Sequence, residues 1–175
     1  MALMAQLRFA GMRAISSALA ALIVFVVAAT PSWPSSLSDG VVAFRRSDFP
    51  TAFRSLRPLA ERGQAEAQAL LGYMYEHGSG VPQDQVLAAH WYSSAAEQGH
   101  AGAQYQLGLL YDKGHGVPQS AVIAYKWLNL AAARAQPRER DYYVRIRDAV
   151  ATKLDAAQLA QAQWLATSWM PKRVR

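Results

Sequence analysis

The sequence predicts an all-α fold built as a stacked repeat, and three observations carry that prediction. The chain is self-similar at a spacing of 36 residues: Ala65–Gly99 aligns without a gap on Ala101–Ala135. The two copies share Ala65/Ala101, Ala67/Ala103, Gln68/Gln104, Leu71/Leu107, Gly72/Gly108, Tyr75/Tyr111, Gly78/Gly114, Gly80/Gly116, Val81/Val117, Pro82/Pro118 and Trp91/Trp127. Each copy opens with apolar residues at helical spacing and breaks at a Gly-x-Gly-Val-Pro turn before a second helical run. Self-similarity of this kind marks units that bury their apolar faces only against their neighbours.

At the N-terminus, Arg8 and Arg13 precede the apolar run Ala18–Ala29, and no acidic residue appears before Asp39. A membrane-crossing helix needs about 20 mainly apolar residues, so this shorter run reads as an export signal over 1–38. Cleavage after Ala29 or after Ser38 would both follow small residues. The whole apolar stretch from Ala14 is longer, so an uncleaved anchor that tethers the chain to a membrane is the alternative. Residues 39–64 then read as a shortened first repeat. There Val41–Gly63 fits the later frame with the glycine-rich loop deleted, matching Asp48 to Asp84, Ala52 to Ala88 and Ala60–Gly63 to Ala96–Gly99.

In the repeats at 65–100 and 101–136, the first helix shows one apolar face, Ala67, Leu71, Met74 and Tyr75. Gly72 and Gly108 lie inside such helices, where glycine costs about 1 kcal/mol relative to alanine. Close approach of the second helix, which offers the small Ala88, Ala95 and Ala96, is the expected gain. Gly78 and Gly80 suit the left-handed conformation that ends a helix, Pro82 blocks its continuation, and Asp84 or Ser120 caps the next. Trp91 and Trp127 are expected to wedge between successive pairs. Over 137–175, a charged helix at Arg138–Lys153 and a last one capped by Asp155, with Leu159, Ala162, Ala166 and Trp169 on one face, form the terminal cap that a solenoid needs.

The shared frame A-x-A-x-x-x-L-G-x-x-Y-x-x-G-x-G-V-P-Q, followed by a helix ending W-Y-x-x-A-A-x-x-G, resembles the Sel-one-like repeat (SLR) of the tetratricopeptide-like superfamily. That resemblance implies an α/α solenoid of antiparallel helix pairs, a right-handed superhelix that serves as a binding or scaffolding surface without catalysis.

Composition agrees with this layout. The net charge of +6 falls to +4 without the two leader arginines, a moderate excess that could favour an anionic partner or surface but is more often a solvated face, and export argues against DNA or RNA as the partner. There is no cysteine, which excludes disulfides, thiolate metal sites and a cysteine nucleophile. The histidines, His77, His90, His100 and His115, share no repeat position and no metal-ligand spacing, so neither a metal nor another cofactor is expected. No G-x-S-x-G elbow is present, and the glycine-rich turns join helices rather than a strand to a helix.

A binding surface is easier to locate than a reaction. If the frame residues face inward, the variable first-helix positions Glu66, Ala69, Tyr73, Glu76 and His77 line an exposed groove. Gly102, Tyr105, Leu109, Asp112 and Lys113 continue it one repeat later. By resemblance to tetratricopeptide solenoids, a peptide or partner protein docks on this row. Tyr73 and Tyr105 are either its anchors or merely packed on the neighbouring first helix. Recurrence of Gln68 and Gln104 suggests a structural hydrogen bond. Arg134, Arg138, Arg140, Arg145 and Arg147, interspersed with Glu139, Asp141 and Asp148, read as a self-paired solvated helix rather than an anion site. The expected function is a non-enzymatic interaction module exported to the periplasm or beyond in the bacterial envelope, or held at the inner membrane facing the periplasm. The alternative is an envelope hydrolase or glycan-binding protein using groove carboxylates such as Glu76 and Asp112.

Overall fold

Short polar side chains set where the helices begin, because the first amides of a helix have no partner within it. The computed structural model describes residues 36–172. Among these residues the order is α1 (Leu37–Arg45), α2 (Phe49–Glu61), α3 (Ala65–His77), α4 (Gln85–Glu97), α5 (Ala101–Lys113), α6 (Ala121–Arg134), α7 (Pro137–Ala151) and α8 (Ala156–Thr167), with no strand. Ser36 caps α1, Asp48 caps α2 and Asp84 caps α4, the last accepting from both Val86 N and Leu87 N at 2.9 Å. Ser120 caps α6, and Asp155 forms a reciprocal capping box with Gln158 at α8. Apart from residues 36–38, the expected leader or anchor lies outside the described residues, among which no helix is long and apolar enough to cross a membrane.

The helices pack as successive pairs, α1 with α2, α3 with α4 and α5 with α6, and each pair stacks on the next through α2 with α3 and α4 with α5. The first helices also meet directly, α3 against α5. Fully buried small residues hold the pairs together: Ala52, Ala67, Ala88, Ala95, Ala124 and Ala131, with Leu56, Leu71, Met74, Leu107 and Leu128 filling the layers. Each of the larger side chains contributes about 1.5–3 kcal/mol by leaving water. Trp91 reaches back to the cluster around Leu56 and Leu71, while Trp127 is buried in a cluster that joins Leu107 of its own pair to Tyr92 and Ala96 of the preceding one. Both tryptophans therefore fill the seam between successive pairs.

Glycine sets the crossing within each pair. A Cβ on Gly72 would sit 2.6 Å from the Tyr92 ring, and one on Gly108 would sit 2.7 Å from Leu128 Cγ. The shortened first pair repeats the device, since a Cβ on Gly40 would sit 2.6 Å from Leu56 Cδ2. Its turn spans only 46–48, where the later pairs use the longer glycine-rich loop, and Ser47 takes the left-handed conformation there at φ 60°. In the full repeats Gly78 and Gly114 end α3 and α5 in that conformation. Gly116, also at positive φ, presses on the Gln85 carbonyl at the start of α4, so the loop of one repeat seats on the second helix of the previous one.

The C-terminal segment departs from a simple third pair. α7 and α8 both pack on α6 rather than chiefly on each other. Trp169, expected on the last helix, lies beyond its end at Thr167 and packs edge-on to Trp127 at 6.0 Å. Lys172 then ties the tail to α4, its amide donating to Glu97 O at 2.7 Å and its ammonium pairing with the Glu97 carboxylate.

Gly72→Ala separates helix propensity from packing. Propensity alone predicts about 1 kcal/mol of stabilisation. The buried Tyr92 ring has no room for the methyl, and overpacking costs about 1–3 kcal/mol. We expect a net loss of about 1 kcal/mol in denaturant unfolding, and a gain would show that the crossing is not tight.

Candidate binding groove

The outward faces of α1, α3, α5 and α7 line a groove of about 440 Å³. Its floor is Ala69 and Leu70 of α3 with Gly102, Ala103 and Gln106 of α5, and aromatic rings stand along its walls. Tyr73 meets Phe44 of α1 edge-on at 5.2 Å and stacks on His77 at 4.1 Å. Across the groove, Tyr105 stacks on Tyr143 of α7 at 4.4 Å, and its hydroxyl lies 3.1 Å from that of Tyr142. Tyr142 is 48% exposed and Tyr73 36%, which leaves both rings open to an occupant.

Of the positions expected to line a groove, the structure gathers Glu66, Ala69, Tyr73, Gly102 and Tyr105 around this one. Glu76, His77, Leu109, Asp112 and Lys113 are not among its lining residues. His77 acts from behind as the platform for Tyr73, its Nδ1 3.0 Å from the Tyr73 carbonyl. Glu76 accepts a 2.7 Å hydrogen bond from Tyr92, and Gln83 and Gln85 donate to its carbonyl. Asp112, the equivalent of Glu76 one repeat on, is held by Lys153 Nζ at 2.6 and 2.8 Å. Lys113 is exposed and Leu109 half-buried.

Hydrogen bonds between repeats hold the floor. Gln68 and Gln104 each donate 3.0 Å bonds to the carbonyls of Ala60 and Ala96, near the end of the preceding second helix. These are the structural bonds that their recurrence suggested. Gln68 Oε1 in turn accepts from Gln98 at 2.7 Å. In the next repeat the place of Gln98 is taken by Arg134, which lies over the Trp169 ring at 4.7 Å, and the buried Gln104 Oε1 has no partner. His100 joins the two repeats: its Nδ1 accepts the Ala103 amide at 3.0 Å, which leaves Nε2–H to donate to Glu66 at 2.9 Å.

Beside the aromatic groove, and sharing Glu66, His100, Gly102, Glu139 and Tyr143 with it, lies a second cavity of about 440 Å³ with Arg45, Arg134 and Arg138 on its rim. Sequence reasoning missed this grouping. Arg147 does pair with Asp148, at 2.7 Å, as a self-paired helix would. Arg134 and Arg138 instead join Arg45, which arrives from α1 and carries no sequence signal linking it to them. Phe44, Tyr142 and Tyr143 were likewise missed, since only tertiary packing brings α1 and α7 to the flanks of α3 and α5. Among the described residues, no group of three or more histidines and carboxylates is placed to hold a metal.

Burial raises the phenols of Tyr92 and Tyr105 well above their ordinary range, with the Glu76 carboxylate adding to the first and the Tyr142 hydrogen bond to the second. Burial, with Glu139 nearby, also raises Tyr143.

Residues 65–100 and 101–135 match the family model of the Sel1 repeat. Among solved structures, the chain is similar to a protective antigen present in uropathogenic Escherichia coli strains that displays an SLR fold. The two are 34% identical over 74% of this chain and 28% of that one, with a TM-score of 0.69. A Sel1 repeat protein from Oxalobacter formigenes is 38% identical over 49% of this chain and 66% of that one, with a TM-score of 0.48. The chain thus spans less than a third of the antigen's length. No curated protein matches it.

The raised phenols fix an alkaline signature. Tyr92, Tyr105 and Tyr143 ionise later in the folded protein than in the unfolded chain, so their contribution is fully present below about pH 10 and drains away as pH rises beyond it. Unfolding free energy is expected to fall across that alkaline range, with tyrosinate absorbance from these rings lagging the rest. Tyr92→Phe should flatten the fall; an unchanged pH profile would remove the burial argument.

Proposed function

We propose that this chain, which carries two Sel1 repeats on an SLR fold, is a non-enzymatic adaptor that binds a segment of a partner protein in the groove across α1, α3, α5 and α7. Sel1 repeats are commonly protein–protein interaction modules. The observation that carries the reading is the open aromatic cleft, in which the partly exposed Tyr73 and Tyr142 flank a floor that includes the small Ala69, Gly102 and Ala103. Rigid amphipathic rings around a cleft give large contact area at little entropic cost, the composition expected of a binding hot spot. The two carboxylates singled out for a hydrolase, Glu76 and Asp112, are engaged elsewhere, by Tyr92 and by Lys153, which favours the adaptor over a hydrolase built on that pair.

The test is capture from envelope extract by the parent chain and by Tyr73→Ala/Tyr142→Ala, with matching circular dichroism. A protein held by the parent and released by the variant is the expected result. Equal recovery by both would move the binding surface elsewhere, and recovery of glycan alone would favour the glycan-binding reading.

The adaptor acts, in this proposal, after export to the periplasm or beyond. Ser36 caps α1 with a 3.2 Å bond from Asp39 N, so cleavage after Ser38 would remove the cap and cut the first turn, whereas cleavage after Ala29 spares both. N-terminal sequencing of the processed chain should therefore begin at Thr30. A start at Asp39 would contradict this, and an intact Met1 in the membrane fraction would establish the anchored form.

A further inference from the structure

Arginines that find no carboxylate within their own fold are candidates to find one in a partner. The ion pairs among the described residues leave Arg45, Arg134 and Arg138 without an acidic partner, and all three rim the cavity that opens beside the aromatic groove. Two carboxylates share this cavity, but Glu66 is held by the His100 imidazole, which leaves Glu139 as the other carboxylate among three arginines. Positive charge is therefore in excess where the groove ends.

Two of these arginines also break a local rule of the fold. Arg134 stands where the first repeat has Gln98, and the exchange leaves the fully buried Gln104 Oε1 without the donor that Gln68 enjoys. An unmet buried acceptor costs about 1–3 kcal/mol. Arg138 occupies the first turn of α7, the positive end of the helix dipole, where a cation is disfavoured. Arg134 gains the Trp169 ring and the C-terminal end of α6 in return, whereas Arg138 has no such return among the described residues, and a departure from local consistency of that kind marks a functional position.

We propose that the occupant of the groove is an acidic segment of the partner protein, in which an aromatic or large aliphatic side chain stands next to at least two Asp or Glu residues. This rests on the adaptor reading above. The apolar side chain enters between Tyr73 and Tyr142, and the carboxylates meet Arg45, Arg134 and Arg138, whose planar forks suit bidentate pairing. Three guanidinium groups on three separate helices match several acidic side chains better than a single chain terminus.

The test is selection of a random displayed-peptide library on the immobilised full chain, followed by fluorescence anisotropy with the selected peptides. The expected winners combine acidic and large apolar residues. Exchanging their Asp and Glu for Asn and Gln should weaken binding roughly tenfold or more, and so should Arg45→Glu/Arg138→Glu in the protein. Arg45→Gln/Arg138→Gln, which keeps much of each side chain's bulk, is expected to lose binding in the same direction if the charge-swapped protein fails to match the parent by circular dichroism. Neutral or basic winners, or acidic winners that bind both arginine variants as well as the parent, would overturn the proposal. If those peptides are still lost on Tyr73→Ala/Tyr142→Ala, only the acidic-partner inference fails. Peptides indifferent to the tyrosine variant, or no selected peptide, would overturn the groove reading and this inference with it.

Discussion

The close crossing of the two helices in each pair is the constraint on which the rest of the molecule depends. Gly40, Gly72 and Gly108 remove the Cβ at the point of contact, and Leu56, Tyr92 and Leu128 lie directly on the exposed backbone. Small buried alanines on the second helices keep the separation short along its length. Once the pairs are that close, the first helices of successive repeats come into contact, and their outward positions fall in one row. Tyr92 couples the two levels. Its ring fills the space over Gly72, its hydroxyl reaches Glu76, and it lines the groove.

Much of this was legible because the repeat states its structural residues twice. The N-caps Asp84 and Ser120, the helix-ending glycines and the inter-repeat bonds of Gln68 and Gln104 all follow from local rules and recurrence. The role of Gly40 was hidden because it stands 32 residues before Gly72, whereas Leu56 stands 36 before Tyr92; the shorter first turn breaks the period. Trp169 was assigned to the last helix, since periodicity does not report that Ser168 ends it.

The groove was half legible for a different reason. Helical spacing shows which residues leave the core, but not what meets them from another element. Glu76 and Asp112 occupy one repeat position and look equally free, yet one is held by Tyr92 and the other by Lys153, which is 41 residues away. Tyr105 was expected to be an anchor or to be packed on the neighbouring first helix, and it stacks on Tyr143 of the terminal α7. The aromatic walls at Phe44 and Tyr142 belong to the irregular first and last units, where there is no second copy against which to read them.

A solenoid of identical units would offer an identical surface at every step, so an adaptor of the proposed kind would discriminate where its units differ. Positions 64, 100 and 136 are equivalent, but only His100 caps its helix, and its other nitrogen holds Glu66 across the repeat boundary. Positions 98 and 134 are equivalent, but glutamine completes a buried hydrogen bond and arginine abandons it for the Trp169 ring and the cavity rim. The first departure adds a cap and a bond between repeats, while the second leaves the buried Gln104 Oε1 unmet and gains the Trp169 ring. On the proposed adaptor reading, recognition is written in these exceptions to the repeat, while the repeat itself supplies the spacing that brings them to one end of the groove.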